Sequence, residues 1–364
     1  FPVVVFAQVL PLLVVWIGAP AVTWWVSKRA PKRKKALTQV QLNFLQHISR
    51  KTWAYFERFV SEEENWLPPD NYQEQPKEKI AHRTSPTNIG LALLANLSAY
   101  DFGYITGGQM VQRTANTLDA MGKLERMHGH FYNWYDTLTL QPLPPRYISS
   151  VDSGNLAGHL LILKQGLLEI PDQKLITLRT FDGLMDTLNV LESYTQAKIT
   201  SLHAFRAQLM QLMGAPLNSL HHLVVQVRSL QRLSGEVLAV VAEKDSSDGI
   251  WWANSLQEQC TGIMNELVSA MPWIADKNEI PDMSFVIQGI PTLRELAELN
   301  IDSSSYTAEH KASLHNHKPL IDQAASNAQE RIGKLITLSE QCEDFADIAY
   351  DFLYDKAKHL LAIG

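Results

Sequence analysis

The feature that most constrains this chain is a hydrophobic repeat near 3.6 residues that recurs along almost its whole length, with few strand signals between the repeats. From Leu175 onward, Leu178, Phe181, Met185, Leu188 and Leu191 form one stripe. Leu220, Val224, Val227, Leu230, Leu233, Val237 and Val241 form a second, and Trp252, Leu256, Cys260, Ile263 and Leu267 a third. A fourth passes through Ile321, Ala325, Ala328, Ile332 and Leu335. Residues at this spacing share one helix face, which must be buried against another element. The pattern predicts long amphipathic helices over 175–345, packed as antiparallel hairpins or a bundle whose seam is core. Earlier helices are expected at about 38–63, 85–99, 107–127 and 152–169, so the fold class is all-α.

With 364 residues, 46% of them hydrophobic, the chain can bury a sizeable core and belongs among folded proteins. The formal charge is −6, and no basic stripe recurs downstream of residue 35, which argues against a nucleic-acid partner. Cys260 and Cys342 stand far apart, without metal-site spacing, and suit a reducing compartment. No His/Cys/carboxylate cluster reads as a metal centre, and no Ser-His-Asp or Cys-His arrangement is visible. Gly107 and Gly108 open a helix without the rest of a nucleotide fingerprint. No cofactor is expected.

The two ends carry their own signals. From Phe1 to Val26 there is no charged side chain, and Trp16, Trp24 and Trp25 sit toward the end that would meet water, which predicts a transmembrane helix over 1–27. Pro2, Pro11 and Pro20 argue for kinks, no basic residues precede the run as in a signal peptide, and a buried soluble helix is the alternative. Lys28, Arg29, Lys32, Arg33, Lys34 and Lys35 come next in a basic juxtamembrane linker, 28–37. Such a cluster keeps the remainder of the chain on the cytoplasmic side and attracts anionic lipid headgroups. The chain starts without Met and stops just after an aromatic run, as a piece of something longer would. Asp351–Asp355 and His359–Ile363 read as paired strands around a turn within the closing segment, 346–364.

Between His128 and His159 aromatics, amides and carboxylates crowd into a loop that then opens a helix. Phe131, Tyr132, Trp134 and Tyr135 interleave with His130, Asn133 and Asp136. Apolar ring faces beside forked hydrogen-bonding groups suit a sugar. Trp66, Tyr72, Tyr132, Trp134 and Tyr147 are candidate sugar platforms, and Arg83, Asn88, Asn133 and Asn155 candidate partners for hydroxyls. Loop anchoring is the alternative for each ring. His82, His128, His130 and His159 are the nearest histidines. Asp136 and Asp152 are the carboxylates best placed to act as the pair a glycosidase needs; read structurally, Asp136 makes an Asx turn and Asp152 caps a helix. A short echo supports a repeated unit: the run Ser85 to Leu94 lines up with Asp152 to Leu161, with Asn88 against Asn155. Both openings come after an aromatic-rich loop, as neighbouring inner helices of an α/α barrel would.

Four ordered motifs, Asn65–Glu74, His82–Gly90, Gly129–Asp136 and Pro145–Tyr147 with Ser150–His159, together resemble the bacterial cyclic β-1,2-glucan synthases. The resemblance implies an inner-membrane protein with a glycosyltransferase domain and an α/α-barrel transglycosylase domain that cyclises the glucan. It places this chain at the last membrane helix and the first part of the cyclising domain. The implied architecture is an incomplete (α/α)6-barrel-like toroid, 38–174, with a long-helix bundle insertion, 175–345, preceded by the transmembrane helix. The implied role is to supply β-1,2-glucan subsites, built from Trp66, Tyr72, Arg83, Asn88, His130, Tyr132, Asn133, Trp134, Asp136, Tyr147, Asp152 and Asn155. The catalytic glutamates would lie in sequence beyond Gly364, with the glucan chain, membrane lipids and the remaining synthase domains as partners. The piece alone should be inactive, and half a barrel should expose apolar surface. A second class stays open, a non-catalytic helical scaffold docking neighbouring domains of a membrane glycosyltransferase.

Overall fold

The computed structural model describes residues 2–27, 36–195, 200–244, 246–276, 281, 283–299 and 307–362. The chain divides into two units, Phe1–Leu45 and Gln46–Gly364. Helix α1 spans Pro2–Ser27 in the first, and α2 (Gln39–Phe59) runs across the boundary. The basic run from Lys28 to Lys35 lies outside the described residues. Among the described residues no helix is long and apolar enough to cross a membrane. The stretch 1–27 expected to span a membrane is helical over Pro2–Ser27 and carries no charged side chain.

In the second unit, α3 (Pro86–Asp101), α4 (Gly107–Lys123) and α5 (Ser150–Glu169) precede α6 (Leu178–Tyr194), α7 (Thr200–Met213), α8 (Leu220–Lys244) and α9 (Ser247–Ala270). The short α10 (Leu293–Ala297) and the 39-residue α11 (Ala308–Ala346) complete the set. Their starts carry explicit signals. Ser85 caps α3 with Pro86 at its first position, Thr106 and Gln109 form a capping box on α4, and Ser246 caps α9.

Helix α5 packs between α3 and α11; α11 continues against α4 and α10. Helix α9 packs on α6 and α8 and touches α4, and α7 fills the space beside α6 and α8. One apolar core runs through both groups, from Leu67, Ile89 and Leu93 through Leu160 and Leu163 to Phe181, Phe205, Val237, Leu256 and Cys342. Cys260 and Cys342 are buried and free, and burial pushes both thiols up to about 12.

Two features lock α2 and α6 to this core. Gly183 on α6 sits so close to the α3–α4 loop that a Cβ there would lie 2.2 Å from the Gly103 carbonyl oxygen, and Gly103 itself has φ +73°. Arg50 on α2 is fully buried: its Nε donates to Thr187 Oγ1 at 2.6 Å, its Nη2 pairs with Glu57 at 3.0 Å, and its guanidinium lies 4.8 Å from the Trp252 ring centroid.

Four short antiparallel pairs occur among the described residues: β1 (Tyr72–Gln73) with β2 (Lys79–Ile80), β3 (Arg83–Thr84) with β6 (Tyr135–Asp136), β4 (Arg126–Met127) with β5 (His130–Phe131), and β7 (Tyr354–Asp355) with β8 (Leu360–Leu361). The last is the hairpin expected near the C-terminus. The expected apolar exposure is present on the first helices, with Leu91 on α3, Phe102 just after it, and Val151, Leu161, Ile162 and Leu168 on α5 open to solvent.

Candidate functional site

The site is built where two loops deliver α3 and α5 side by side. Ser85 Oγ accepts the Asn88 N–H and Ser149 Oγ accepts the Asp152 N–H, each at 3.2 Å. Asp152 is therefore not the cap of α5; Ser149 is, and Asp152 sits in the first turn. The internal echo shifts by three residues accordingly, with Ser85 matching Ser149 and Asn88 matching Asp152 as third residues of their helices. The helices touch through these turns: Thr87 Oγ1 donates to Asp152 Oδ1 at 2.5 Å and receives Asn155 Nδ2 at 3.2 Å.

The strand pair β3–β6 sets Arg83 opposite Asp136. Arg83 donates to Asp70 Oδ2 through Nε (3.2 Å) and Nη2 (2.9 Å), and its guanidinium stacks 4.7 Å from the Trp134 ring centroid. Asp70 also receives Asn71 Nδ2 at 3.0 Å on the same oxygen and Asn88 Nδ2 at 3.3 Å on the other. Asp70 thus joins Arg83 to the start of α3. The guanidinium stays half exposed, so one edge is free for a ligand.

Asp136 does what a turn residue does. Its Oδ1 accepts the Leu138 N–H at 3.0 Å, the Thr139 N–H at 2.8 Å and the Thr139 hydroxyl at 3.0 Å. Tyr135 is buried beside it, donating from its hydroxyl to Glu125 O and accepting the Tyr132 N–H. Nearly buried Glu64 anchors the first loop to this one, bonding His82 Nδ1 at 2.7 Å through one oxygen and the Thr137 hydroxyl through the other.

Other candidates fall into different places. His130 is buried, hydrogen-bonded to Ser153 Oγ and Ala349 O at 2.8 Å each, with its ring edge-on to Tyr350 and Phe352, so it ties the loop to the C-terminal segment. His128 lies against Phe352 as well. Asn133 is 4% exposed, and its Oδ1 has no partner. Tyr132 lies beneath Arg146 at 6.0 Å, and Tyr147 is open to solvent. Trp66, at φ +61°, lies near Arg113, and its carbonyl accepts the Thr117 hydroxyl of α4. Tyr72 packs on Phe59 of α2. His159, one turn beyond Asn155, presses on Gly90 with its Nδ1 unpartnered, and burial lowers its imidazole from the ordinary value. A group of three or more His, Cys, Asp or Glu able to hold a metal is absent among the described residues.

The arrangement joins Arg83, Asn88, Trp134, Asp152 and Asn155 around Asp70 and Thr87, two residues that sequence reasoning did not single out. The signal for Asp70 was its place in the Pro-Pro-Asp-Asn turn, and for Thr87 its place between Ser85 and Asn88. A half-buried ring, a forked cation and amides suit hydroxyl recognition better than bond cleavage.

The chain is similar to the cyclic β-(1,2)-glucan synthase NdvB of Rhizobium meliloti (strain 1021), 34% identical over 281 residues that cover 69% of this chain and 10% of that protein. It spans about a tenth of the length of that relative. The resemblance read from the four motifs holds. Among solved structures it is similar to a β-1,2-glucanase from Parabacteroides distasonis, with 18% identity and a TM-score of 0.30 over 46% of this chain and 23% of that one. No family model matches the chain.

Proposed function

We propose that this chain is part of a bacterial cyclic β-1,2-glucan synthase, which as a whole is a transglycosylase, and that it contributes β-1,2-glucan subsites to an α/α-barrel cyclising domain. The observation that carries this is the paired opening of α3 and α5, with Arg83 stacked on Trp134 and held on Asp70 beside Asn88, Asp152 and Asn155. A ring face next to a forked cation and side-chain amides offers a glucosyl unit one apolar contact and several hydrogen bonds. Helices α3 and α5 serve as adjoining inner helices of the barrel, and their exposed apolar residues as surface that the rest of the enzyme covers. The bond-breaking groups come from elsewhere in the enzyme: Asp136 is committed to its turn, and Asp152 to Thr87 on one oxygen, leaving the other for a sugar hydroxyl.

The test is made in the whole synthase. Trp134→Ala and Asp152→Ala are each expected to lower cyclisation of β-1,2-glucan about tenfold or more, as loss of a stacked ring or charge-assisted hydrogen bond implies, with folded protein recovered in normal amount. Cyclisation at the parental rate in both variants refutes the site. Turnover of linear β-1,2-glucan by the present chain alone would instead revive Asp136 and Asp152 as the reacting pair.

A further inference from the structure

A second cleft lies along one face of α2, whose Tyr55 donates its hydroxyl to Pro69 O at 2.6 Å, beside the Asp70 loop. One face of α2 supplies Lys51, Tyr55, Arg58 and Phe59, at helical spacing. Strand β1 and the residue after it supply Tyr72 and Glu74, the end of α6 supplies Tyr194, and the first turns of α9 supply Asp248 and Trp251. The space they enclose is about 190 Å³. This is many times the roughly 10–15 Å³ that holds a single water, and leaves room for a small ring.

The lining is unusual for a gap in packing. Tyr194 stacks on buried Trp252, and Trp251 meets Trp252 edge-on at 4.7 Å with the Arg58 guanidinium over one face of its ring at 4.7 Å, so both rings are held rigidly while remaining partly open. Tyr72 is braced by Phe59 at 4.7 Å. Lys51 and Arg58 are balanced by Glu74 and Asp248, with Arg58 paired to Asp248 at 3.5 Å, so the cleft favours no net ligand charge. Several polar groups stay uncommitted. Neither the Glu74 carboxylate nor the Trp251 indole N–H makes a hydrogen bond or ion pair among the described residues, and Lys51 makes only a contact with the Tyr194 ring face at 5.3 Å. Rigid aromatic walls, cancelling charges and free donors and acceptors are what a neutral, polyhydroxylated ring requires.

We infer that this cleft is a second saccharide site, taking one neutral hexose unit of a glucan chain between Trp251, Tyr194 and Tyr72, with Glu74 and Lys51 on its hydroxyls. The site is separate from the one at α3 and α5, and Tyr72 belongs to it.

The probe is a linear β-1,2-gluco-oligosaccharide titrated into the whole chain and monitored by tryptophan fluorescence and saturation-transfer NMR. In a Trp134→Ala background, which weakens the α3–α5 site, binding is expected to persist. Adding Trp251→Ala is expected to weaken that binding about tenfold, the scale of one lost aromatic contact. Where Trp251→Ala alters the fold, Glu74→Gln and Lys51→Met, both at exposed positions, decide the matter by the same loss. Absence of binding in the Trp134→Ala background overturns the inference and leaves the first site standing, as does affinity unchanged by Trp251→Ala, Glu74→Gln and Lys51→Met. Binding that Trp134→Ala leaves unaffected and Trp251→Ala abolishes keeps this cleft and refutes the first site.

Discussion

Among the described carboxylates, Asp186 carries a large upward shift. It is 5% exposed, under the Tyr104 hydroxyl, which donates to its Oδ2 at 3.2 Å. Burial pushes its carboxyl up from 3.8 to about 6; the Tyr104 hydrogen bond opposes the rise, Asp182 adds to it, and the Arg50 charge opposes it again. A carboxyl with a raised folded value holds its proton in the native state while the unfolded chain has released it. Its contribution is therefore fully present below pH 3.8 and is lost as pH rises through about 6. The gap of roughly two pH units corresponds to about 3 kcal/mol at 1.36 kcal/mol per pH unit. Asp186→Asn keeps an oxygen for Tyr104 and cannot ionise. It should match the parent near pH 4 and exceed it by up to about 3 kcal/mol near pH 8, measured as a difference in urea midpoints across that range at constant slope. Arg50 already has Glu57 as its partner, so loss of the Asp186 charge leaves no cation without a counter-ion. A variant less stable than the parent near pH 8, or a difference that does not change with pH, would show that Asp186 is a needed counter-ion rather than a buried acid.

Gly183→Ala should be among the most damaging small substitutions, because its Cβ would meet the Gly103 and Phe102 carbonyl oxygens at 2.2 and 2.8 Å. Backbone atoms cannot rotate aside, so a loss of about 3 kcal/mol or more is expected, and a thermal midpoint equal to the parent's would refute the close approach. Ser149→Ala removes the cap of α5 and should cost about 1 kcal/mol, whereas Ser149→Asp should restore most of it; equal denaturation midpoints for the two variants would show that the cap is elsewhere.

Helices with long, regular stripes were legible from the sequence, and so was the all-helical class. Leu178–Tyr194, Leu220–Lys244 and Ser247–Ala270 hold the residues their stripes named. Helix α7 escaped because its buried Leu202, Phe205, Leu209 and Leu212 are separated by His203, Arg206, Gln208 and Gln211 over only 14 residues. Inside the site, residue types were legible and partners were not. Asp70 and Asn88 are 18 residues apart and Thr87 and Asp152 are 65 apart, and no periodicity reports contacts between loops and helix starts. His130 shows the cost of reading one loop alone: its partner Ala349 lies 219 residues away, so a histidine that looked free for a ligand is a buried fastener.

The helix starts explain why outward-reaching polar side chains stand at α3 and α5 rather than at α4, α6 or α10. In α4, α6 and α10 the third residue folds back on the cap: Gln109 accepts the Thr106 N–H, Thr180 the Thr177 N–H, and Glu295 the Thr292 N–H. Such a side chain is spent on its own helix. In α3 and α5 the cap serine still holds the third residue's amide, yet that residue is Asn88 or Asp152, and its side chain reaches outward to Asp70 or Thr87. The same local rule thus closes the starts of α4, α6 and α10, and at α3 and α5 leaves a polar group for a neighbour or a ligand. Because α3 and α5 pack directly against each other, the two released groups fall on one surface, beside the Arg83 and Trp134 stack. A glutamine at position 88 or 152 would be long enough to fold back as Gln109 does, so Asn88→Gln and Asp152→Gln should hold the helices while withdrawing the polar group from the site.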